Sequence, residues 1–281
     1  MQATKHLVMK PMTQHTAPSQ TFSHVSANDS SSLEIDEHGI GILTMRGRGS
    51  LNILDRVAIS QISTTIDALA QKPEIKVLIL RGQGERALIG GADIHDMHAL
   101  DPQSAKIFIS SLRDLCDACY HFPGPVIARL AGYCLGGGLE LAMACDLRIA
   151  GHEALLGMPE VKVGIPSVIH ASLLPRLIGQ ARSTWMLLTG ELIDAKTALG
   201  WGLIHELYEE DQLDAMIWKR ALRLASMGQS VLRQQKRLMH AWQDQTLRQS
   251  IEQSIGEFAK AFETDEPKHF MGEFLNRKRK S

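Results

Sequence analysis

The chain has 281 residues, of which 44% are hydrophobic and 22% are charged. This length is sufficient for one large α/β domain with its own core. Thirty Lys and Arg residues nearly balance 31 Asp and Glu residues, and the formal net charge of -1 gives no overall attraction to nucleic acid or to an anionic membrane. Because there are only four cysteines and no run of about 20 apolar residues, we expect a cytoplasmic protein with reduced thiols and no membrane span.

The sequence is expected to fall into three regions. Residues 1–32 are rich in Ser, Thr, Gln and His, with no acidic residue before Asp29, and are expected to form a disordered tail. Residues 33–220 carry the strand and helix patterns of an α/β core, and residues 221–281 are predicted to be a C-terminal helical region.

The first predicted elements are a hairpin, a helix and a buried strand. Two apolar runs around a Glu-His-Gly turn predict a hairpin over Leu33–Met45. Helical spacing follows over Leu54–Leu69. Its apolar stripe consists of Val57, Ile59, Ile62, Ile66 and Leu69. The apolar run that begins Val77–Gly82 is typical of a strand buried on both faces of a parallel sheet.

The same alternation then repeats twice. A helix over Pro102–Tyr120 leads to a strand over Val126–Leu130, and a helix over Gly138–Ala144 leads to a strand over Asp146–Ala150. Strand, helix and strand in succession imply right-handed crossovers and a layered α/β core. From Ser172 onward the pattern is mainly helical.

Two glycine-rich turns lie where a predicted strand gives way to a helix. They occupy Ala87–Ile94 and Gly132–Glu140. Neither has the spacing of a phosphate-binding loop or of a dinucleotide-binding fold. Glycines allow the backbone to turn tightly, and the first N–H groups of a helix have no partner within it. Two such N–H groups directed at one point would form an oxyanion hole.

Two carboxylates follow these turns. Glu140 lies three residues beyond Gly137, on nearly the same face of the predicted helix. Glu160 lies among apolar neighbours in Gly157-Met158-Pro159-Glu160-Val161. A carboxyl group in apolar surroundings holds its proton more tightly, which suits acid–base work near neutral pH.

Together these motifs resemble the crotonase, or enoyl-CoA hydratase/isomerase, superfamily. Gly91-Ala92-Asp93-Ile94 matches the family's first oxyanion motif, and Gly132–Ala142 matches the second. Further matches in register are Asp146, Gly157–Glu160, Leu188–Glu191, Ala195, Ala198, Gly200 and Gly202–Ile204. The resemblance runs from about Leu33 to the C-terminus. It implies a layered β-β-α superhelix core with a C-terminal helical trimerisation region, and self-association as a trimer or hexamer.

The resemblance also implies a role for individual residues. Glu140 and Glu160 match the hydratase acid–base pair, and the N–H groups of Ala92 and Gly137 match the oxyanion hole. Substrate-binding positions are expected at Ala87, Ile89, Gly90, Asp93, Ile94, Gly136, Pro159 and Val168. Phe258 and Arg277 fall near positions that contact the CoA nucleotide in relatives. No metal and no separate cofactor are expected, because coenzyme A is part of the acyl-CoA substrate.

One segment departs from the family pattern. Hydratases usually continue after the second glutamate with proline and a glycine-rich run, whereas this chain reads Ile165-Pro166-Ser167-Val168-Ile169-His170-Ala171. Side chains in place of glycines predict a narrower acyl pocket. His170 is compatible with a catalytic base or with a structural histidine.

Three functions remain open from the sequence. The first is hydration of a 2-enoyl-CoA thioester, favoured by the presence of both glutamates. The second is isomerisation of an enoyl-CoA, or another reaction that uses the same oxyanion hole. The third is a non-catalytic or RNA-binding role, for which the sequence offers only a short basic stretch near Arg277 and Lys280.

Overall fold

A computed structural model describes the backbone of residues 22–278 and the side chains of residues 28–276. The strands of this part of the chain are β1 (Phe22–Asn28), β2 (Ser31–Asp36), β3 (Ile40–Met45), β4 (Val77–Gly82), β5 (Ala87–Ile89), β6 (Val126–Leu130), β7 (Tyr133–Leu135), β8 (Leu147–Gly151), β9 (Leu155–Gly157), β10 (Ile193–Asp194) and β11 (Glu206–Tyr208). Its helices are α1 (Arg56–Ala70), α2 (Ile94–His98), α3 (Pro102–Tyr120), α4 (Gly137–Ala144), α5 (Leu174–Ile178), α6 (Gln180–Thr189), α7 (Ala195–Trp201), α8 (Glu210–Ala225), α9 (Gln229–Asp244), α10 (Leu247–Ala261) and α11 (Glu266–Lys278). Two 3-10 helices occupy Pro159–Val163 and Ile169–Leu173.

The strands form two sheets. The larger has the order β1-β2-β3-β4-β6-β8-β11, and the smaller has the order β10-β9-β7-β5. In the larger sheet, β1 to β3 pair antiparallel, whereas the pairs from β3 through β11 are parallel. The predicted α/β class and its parallel crossovers are therefore confirmed.

Strand β4 shows why its sequence is an unbroken apolar run. Val77 and Ile79 lie in a hydrophobic cluster with residues of α8, on one face of the sheet. Leu78 and Leu80 lie in the main core with residues of α1 and α3, on the other face. Successive side chains of a strand point to opposite faces, so a strand covered on both sides needs apolar residues at every position.

Of the two long helices beside the core, α3 begins at the predicted Pro102, and α1 begins at Arg56, slightly after the predicted Leu54. The carboxylate of Asp55 accepts a hydrogen bond from the Ala58 N–H at the start of α1. Asp101 and Ser104 form a reciprocal capping box at the start of α3. The predicted stripe of α1 is buried except for Val57, which is 60% exposed, and Ala58 takes its place in the core.

Two expected region boundaries fall inside elements. Strand β1 lies within the segment that was expected to be a disordered tail, and it pairs with β2. Residues 1–21 lie outside the described part of the chain. The expected boundary between residues 220 and 221 falls within α8, whose Ala221 and Ala225 are buried against the sheet. The core therefore continues to the end of α8.

The C-terminal helices contact this core through a buried ion pair. The Lys236 ammonium group on α9 donates to the Asp146 carboxylate at 2.7 Å, and Asp146 also accepts the Val126 N–H at the start of β6. Both side chains of the ion pair are largely buried. No helix within residues 22–278 is long and apolar enough to cross a membrane.

Candidate active site

The second glycine-rich turn places the start of α4 at a cavity. Gly136 has φ +54°, in the left-handed region that favours glycine, and its backbone turns the chain from β7 into α4. A Cβ on Gly138 would collide with the carbonyl oxygen of Ile89, so glycine allows α4 to pack directly against β5. Gly136 and Gly137 both line the cavity. The N–H of Gly137 is among the first N–H groups of α4, which lack partners within the helix.

The first glycine-rich turn lines the same cavity. Gly90, Ala92 and Ile94 line it, between β5 and α2. Asp93 does not line it: its carboxylate accepts the His95 N–H at the start of α2 and pairs with Arg48. The structure thus brings the two predicted oxyanion turns to one cavity, and Asp93 holds the first turn in place.

The cavity itself is small and mostly apolar, with a volume of about 190 Å³. Apolar side chains that the sequence did not single out also line it, namely Met97, Phe108, Ile109, Leu112 and Ile165. The sequence carried an indirect sign of Phe108 and Leu112, because they lie four residues apart on one face of α3. Which way that face points depends on the packing of α3.

Glu140 is a deeply buried carboxylic acid at this cavity. Its residue is only 3% exposed, and its Oε1 accepts the Ala171 N–H at 2.9 Å. Burial and, to a smaller extent, the charge of Glu160 raise the pKa of Glu140, whereas the hydrogen bond from Ala171 lowers it, and together these effects place the pKa at about 8. Glu140 is therefore mostly protonated at neutral pH.

Glu160 lines the same cavity and is half-buried in the first 3-10 helix. A Cβ on Gly136 would lie 2.8 Å from its Oε1, so this glycine also allows the carboxylate to approach α4. The Ser167 hydroxyl donates to its Oε2 at 2.9 Å. Burial raises the pKa of Glu160 above its usual value, and hydrogen bonds from its own N–H and from Ser167 work in the opposite direction. Pro159, beside it, also lines the cavity.

Some predicted binding residues lie away from the cavity. Ala87 and Ile89 form part of β5 and are buried in the protein interior, where they support the turn rather than line the cavity. Phe258 lies on α10, where it is 69% exposed and packs edge-to-face on Phe262. The side chain of Arg277 lies outside the described residues.

The segment that departs from the family pattern fills the cavity less than the sequence predicts. Val168 lines the cavity, as expected. Ile169, at φ +40°, packs against the core instead. His170 points to α3, where its Nε2 lies 3.3 Å from the Asp117 carboxylate and burial lowers its pKa. Only the first of these three side chains narrows the pocket, and His170 is placed as a structural residue.

No metal-binding cluster accompanies the site. Among the residues whose side chains are described, no group of three or more His, Cys, Asp or Glu side chains is arranged to hold a metal ion. The four cysteines are free and buried, and burial raises the pKa of Cys116 and Cys134 well above the usual value. These thiols belong to the core.

Comparisons with known proteins agree with this geometry. A family model described as enoyl-CoA hydratase/isomerase matches residues 36–281. The chain is 30% identical over 244 residues to a crotonyl-CoA hydratase of Syntrophomonas wolfei, which covers 86% of this chain and 94% of the relative. It is 35% identical over 197 residues to an (E)-benzylidenesuccinyl-CoA hydratase of Thauera aromatica, covering 69% and 75%.

Solved structures share the fold. An enoyl-CoA hydratase from Geobacillus kaustophilus superposes with a TM-score of 0.86 at 27% identity, covering 92% of this chain and 97% of its own. Pseudomonas aeruginosa DspI superposes with a TM-score of 0.85 at 25% identity, covering 90% and 96%. The crotonase-like fold expected from the sequence is therefore confirmed. The chain is an enzyme that belongs to the enoyl-CoA hydratase/isomerase family.

Proposed function

We propose that this enzyme adds water across the 2,3 double bond of 2-enoyl-CoA thioesters. The observation that carries the proposal is the arrangement of Glu140 and Glu160. Both carboxyl groups face one apolar cavity, beside the start of α4 and the turn at Ala92. Double-bond isomerisation also needs an oxyanion hole, but a single base is sufficient to move a proton along the acyl chain.

The chemistry follows from the charges of this pair. The thioester oxygen accepts hydrogen bonds from the N–H groups of Ala92 and Gly137, which stabilise the negative charge that develops there. One carboxylate takes a proton from water as the water oxygen bonds to C3, and one carboxylic acid gives a proton to C2. A pair with one carboxylic acid and one carboxylate has the donor and the acceptor that this addition needs.

The cavity supports a preference for short or branched acyl groups. Its lining is apolar and its volume is about 190 Å³. Val168 occupies a position where hydratases usually carry glycine, so it removes space from the acyl end. Coenzyme A arrives as part of the substrate, and the proposed reaction needs no separate cofactor.

Self-association as a trimer or hexamer is part of the proposal. Five large apolar side chains of α10 and its C-terminal end are more than half exposed: Leu247, Ile251, Ile255, Phe258 and Phe262. Their spacing of three or four residues puts them on one helical face. A contiguous apolar face of this kind is costly in water, and a second copy of the chain would cover it.

The test is a panel of enoyl-CoA esters, assayed by loss of the conjugated thioester absorbance. We expect wild type to hydrate a four-carbon 2-enoyl-CoA. Glu140→Gln and Glu160→Gln are each expected to fold and to lose hydration by roughly 100-fold or more, the scale for a positioned acid–base group. Glu153→Gln, at an exposed position outside the cavity, is the matched control.

Three results would redirect the assignment. Wild-type hydration rates in both cavity variants would contradict the acid–base roles. Rapid conversion of a 3-enoyl-CoA to its 2-enoyl isomer without hydration would favour the isomerase function. An RNA affinity that persists above moderate salt would support the RNA-binding alternative, whereas one lost in moderate salt would leave it unsupported.

A further inference from the structure

The segment that follows Glu160 returns to contact both carboxyl groups. Its first contact is the hydrogen bond from the Ser167 hydroxyl to Oε2 of Glu160, at 2.9 Å. Its second is the hydrogen bond from the Ala171 N–H to Oε1 of Glu140, also at 2.9 Å. The segment is thus attached at two points, four residues apart, to the two groups assigned to proton transfer.

The Ser167 contact restricts the rotation of a carboxylate whose other hydrogen bond comes from its own backbone N–H. The terminal torsion of a Glu side chain has only broad preferences, so a carboxylate is oriented mainly by its partners. Oε1 of Glu160 lies against Gly136 at the start of α4. With Oε2 held by the hydroxyl, Oε1 is directed towards the turn that faces the substrate carbonyl.

The backbone from Glu160 to Ser167 forms a short loop, and the hydrogen bond between the two side chains closes it. The Ile165 N–H donates to the Glu160 carbonyl oxygen at 3.2 Å, and the Gly164 N–H donates to the carbonyl oxygen of Val161 at 3.3 Å. Gly164 has φ +81°, which reverses the chain after the 3-10 helix. This turn brings Ser167 back to the side chain that begins the loop.

The surroundings of Ser167 argue against a role in packing. Its neighbours Ile165 and Val168 are each 40% exposed, and the three residues line the cavity together. Ser167 is itself partly buried but its side chain is small, so its main contribution is the hydroxyl group that contacts Glu160. Glycine, the usual residue of this region in hydratases, offers no side-chain donor.

We propose that Ser167 is a positioning residue that holds the Glu160 carboxylate in the orientation used for proton transfer. This inference rests on the hydratase function proposed above. Removal of the hydroxyl would leave Oε2 without this partner, so the carboxylate could rotate more easily, and it would remove one hydrogen bond to the charged form. Both effects act on the reaction step rather than on the capture of the substrate.

The test compares three substitutions at one position. Ser167→Ala and Ser167→Gly remove the hydroxyl, whereas Ser167→Thr keeps it. We expect the first two to lower kcat by roughly 10-fold to 100-fold, the range for a hydrogen bond to a charged group, with KM nearly unchanged. We expect Ser167→Thr to restore most of kcat. Ser226→Ala, at an exposed residue that ends α8, controls for the loss of a serine hydroxyl.

The pH dependence of kcat adds a measurement that would not change if Ser167 had only a structural role. Because the Ser167 hydrogen bond favours the charged form of Glu160, its loss is expected to raise the pKa of that carboxyl group. The acid limb of the kcat profile should therefore move to higher pH in Ser167→Ala. Crystal structures of wild type and Ser167→Ala give the orientation of the Glu160 carboxylate independently of turnover.

Each contrary outcome has a distinct meaning. Unchanged kcat and an unchanged acid limb in Ser167→Ala overturn the positioning role, while an inactive Glu160→Gln leaves the hydratase function standing. Equal losses in the Ala and Thr variants, or an effect on KM alone, also overturn it. A wild-type crystal structure in which the hydroxyl points away from Glu160 overturns it without any assay. If wild type hydrates no enoyl-CoA ester, the proposed function fails and the positioning role fails with it.

Discussion

Glu140 and Glu160 face one cavity, but the protein holds them in different ways. Glu140 is almost fully buried and has a backbone N–H as its partner. Glu160 is half-buried and has a side-chain hydroxyl as its partner. Burial raises the pKa of both groups, and it raises that of Glu140 to about 8. A difference in environment is the means by which two identical side chains take unequal shares of one proton.

The buried state of Glu140 predicts a dependence of stability on pH. The folded pKa of about 8 lies above the usual value of 4.5, so the native state binds more protons than the unfolded state between these values. The stability linked to this proton is complete below the lower value and is lost as pH rises through the upper one. The free energy of unfolding should therefore fall by up to about 1.4 kcal/mol for each pH unit in this window.

Glu140→Gln removes this titration and isolates its effect. The free energy of unfolding of the variant, minus that of wild type, should increase from about pH 5 to about pH 8 in urea titrations. Glu74→Gln, at an exposed position, is the control and should follow wild type. A difference between Glu140→Gln and wild type that stays constant over this range would show that Glu140 is not protonated in the folded protein.

The elements around the site explain which side chains reach the cavity. The segment from Pro159 to Leu173 consists of two 3-10 helices joined by an extended stretch, and no regular periodicity governs its side chains. Val168 and Ile169 are adjacent β-branched residues with the same local preference. Val168 faces the cavity, whereas Ile169 packs on the core in a left-handed conformation that a β-branched residue rarely adopts.

This difference predicts opposite effects of two neighbouring substitutions. Val168→Ala should raise kcat/KM for a ten-carbon enoyl-CoA relative to a four-carbon ester by roughly 10-fold, since one or two methyl groups in a pocket change discrimination by about 1–3 kcal/mol. Ile169→Ala should leave this ratio unchanged and lower the free energy of unfolding by about 1 kcal/mol or more, because it removes core contacts.

The chain-length preference of the wild-type enzyme tests whether the pocket is narrowed. Wild type should turn over the four-carbon ester more efficiently than the ten-carbon ester. Equal or greater efficiency on the longer ester would refute a narrowed pocket. A shift of chain-length preference in Ile169→Ala, equal to that in Val168→Ala, would refute the assignment of the two side chains to different surroundings.

At the scale of the whole molecule, the core and the C-terminal helices have different surfaces. The sheet is covered on both faces, and its buried cluster extends through α8. Compared with the core, helices α9 to α11 bury few apolar side chains, and many of their large apolar side chains are exposed. Apolar and polar residues of α9, α10 and α11 also enclose a groove of about 740 Å³, and Phe258 and Phe262 are part of its lining. These features favour burial of this region against another copy of the chain.

The apolar face of α10 predicts the effect of charge on assembly. Sedimentation of wild type should give a trimer or hexamer. Ile251→Lys combined with Ile255→Lys places two charges on the face and should shift the protein towards monomers, because an unpaired charge is costly to bury in an interface. Gln253→Lys, an exposed position on another face of α10, should leave assembly unchanged. A fully active wild-type monomer at micromolar concentration would contradict the prediction.

The sequence alone identified the long elements of the core up to β8, the family motifs and the two glutamates, whereas beyond Ser172 it predicted only a mainly helical pattern. Long elements can be predicted from the sequence because the spacing of their apolar residues follows the periodicity of the element, as in α3 and β4. The three-residue strands β5 and β7 of the smaller sheet lie in segments that the sequence predicts only as glycine-rich turns. A strand of three residues carries too little alternation to be recognised, and it exists because its neighbours supply the hydrogen bonds.

Only the tertiary structure decided whether a given side chain enters the core, caps a helix or contacts another residue of the site. Ile89 turned out to be core, Asp93 a helix cap, and Ser167 a donor to Glu160. The sequence by itself determined the turns and helices in which these residues lie, because the conformation of a turn or a helix depends mainly on residues that are close to one another in the chain. Which way each side chain points depends on contacts between residues far apart in the chain, such as α4 against β5, and those contacts exist only once the chain is folded.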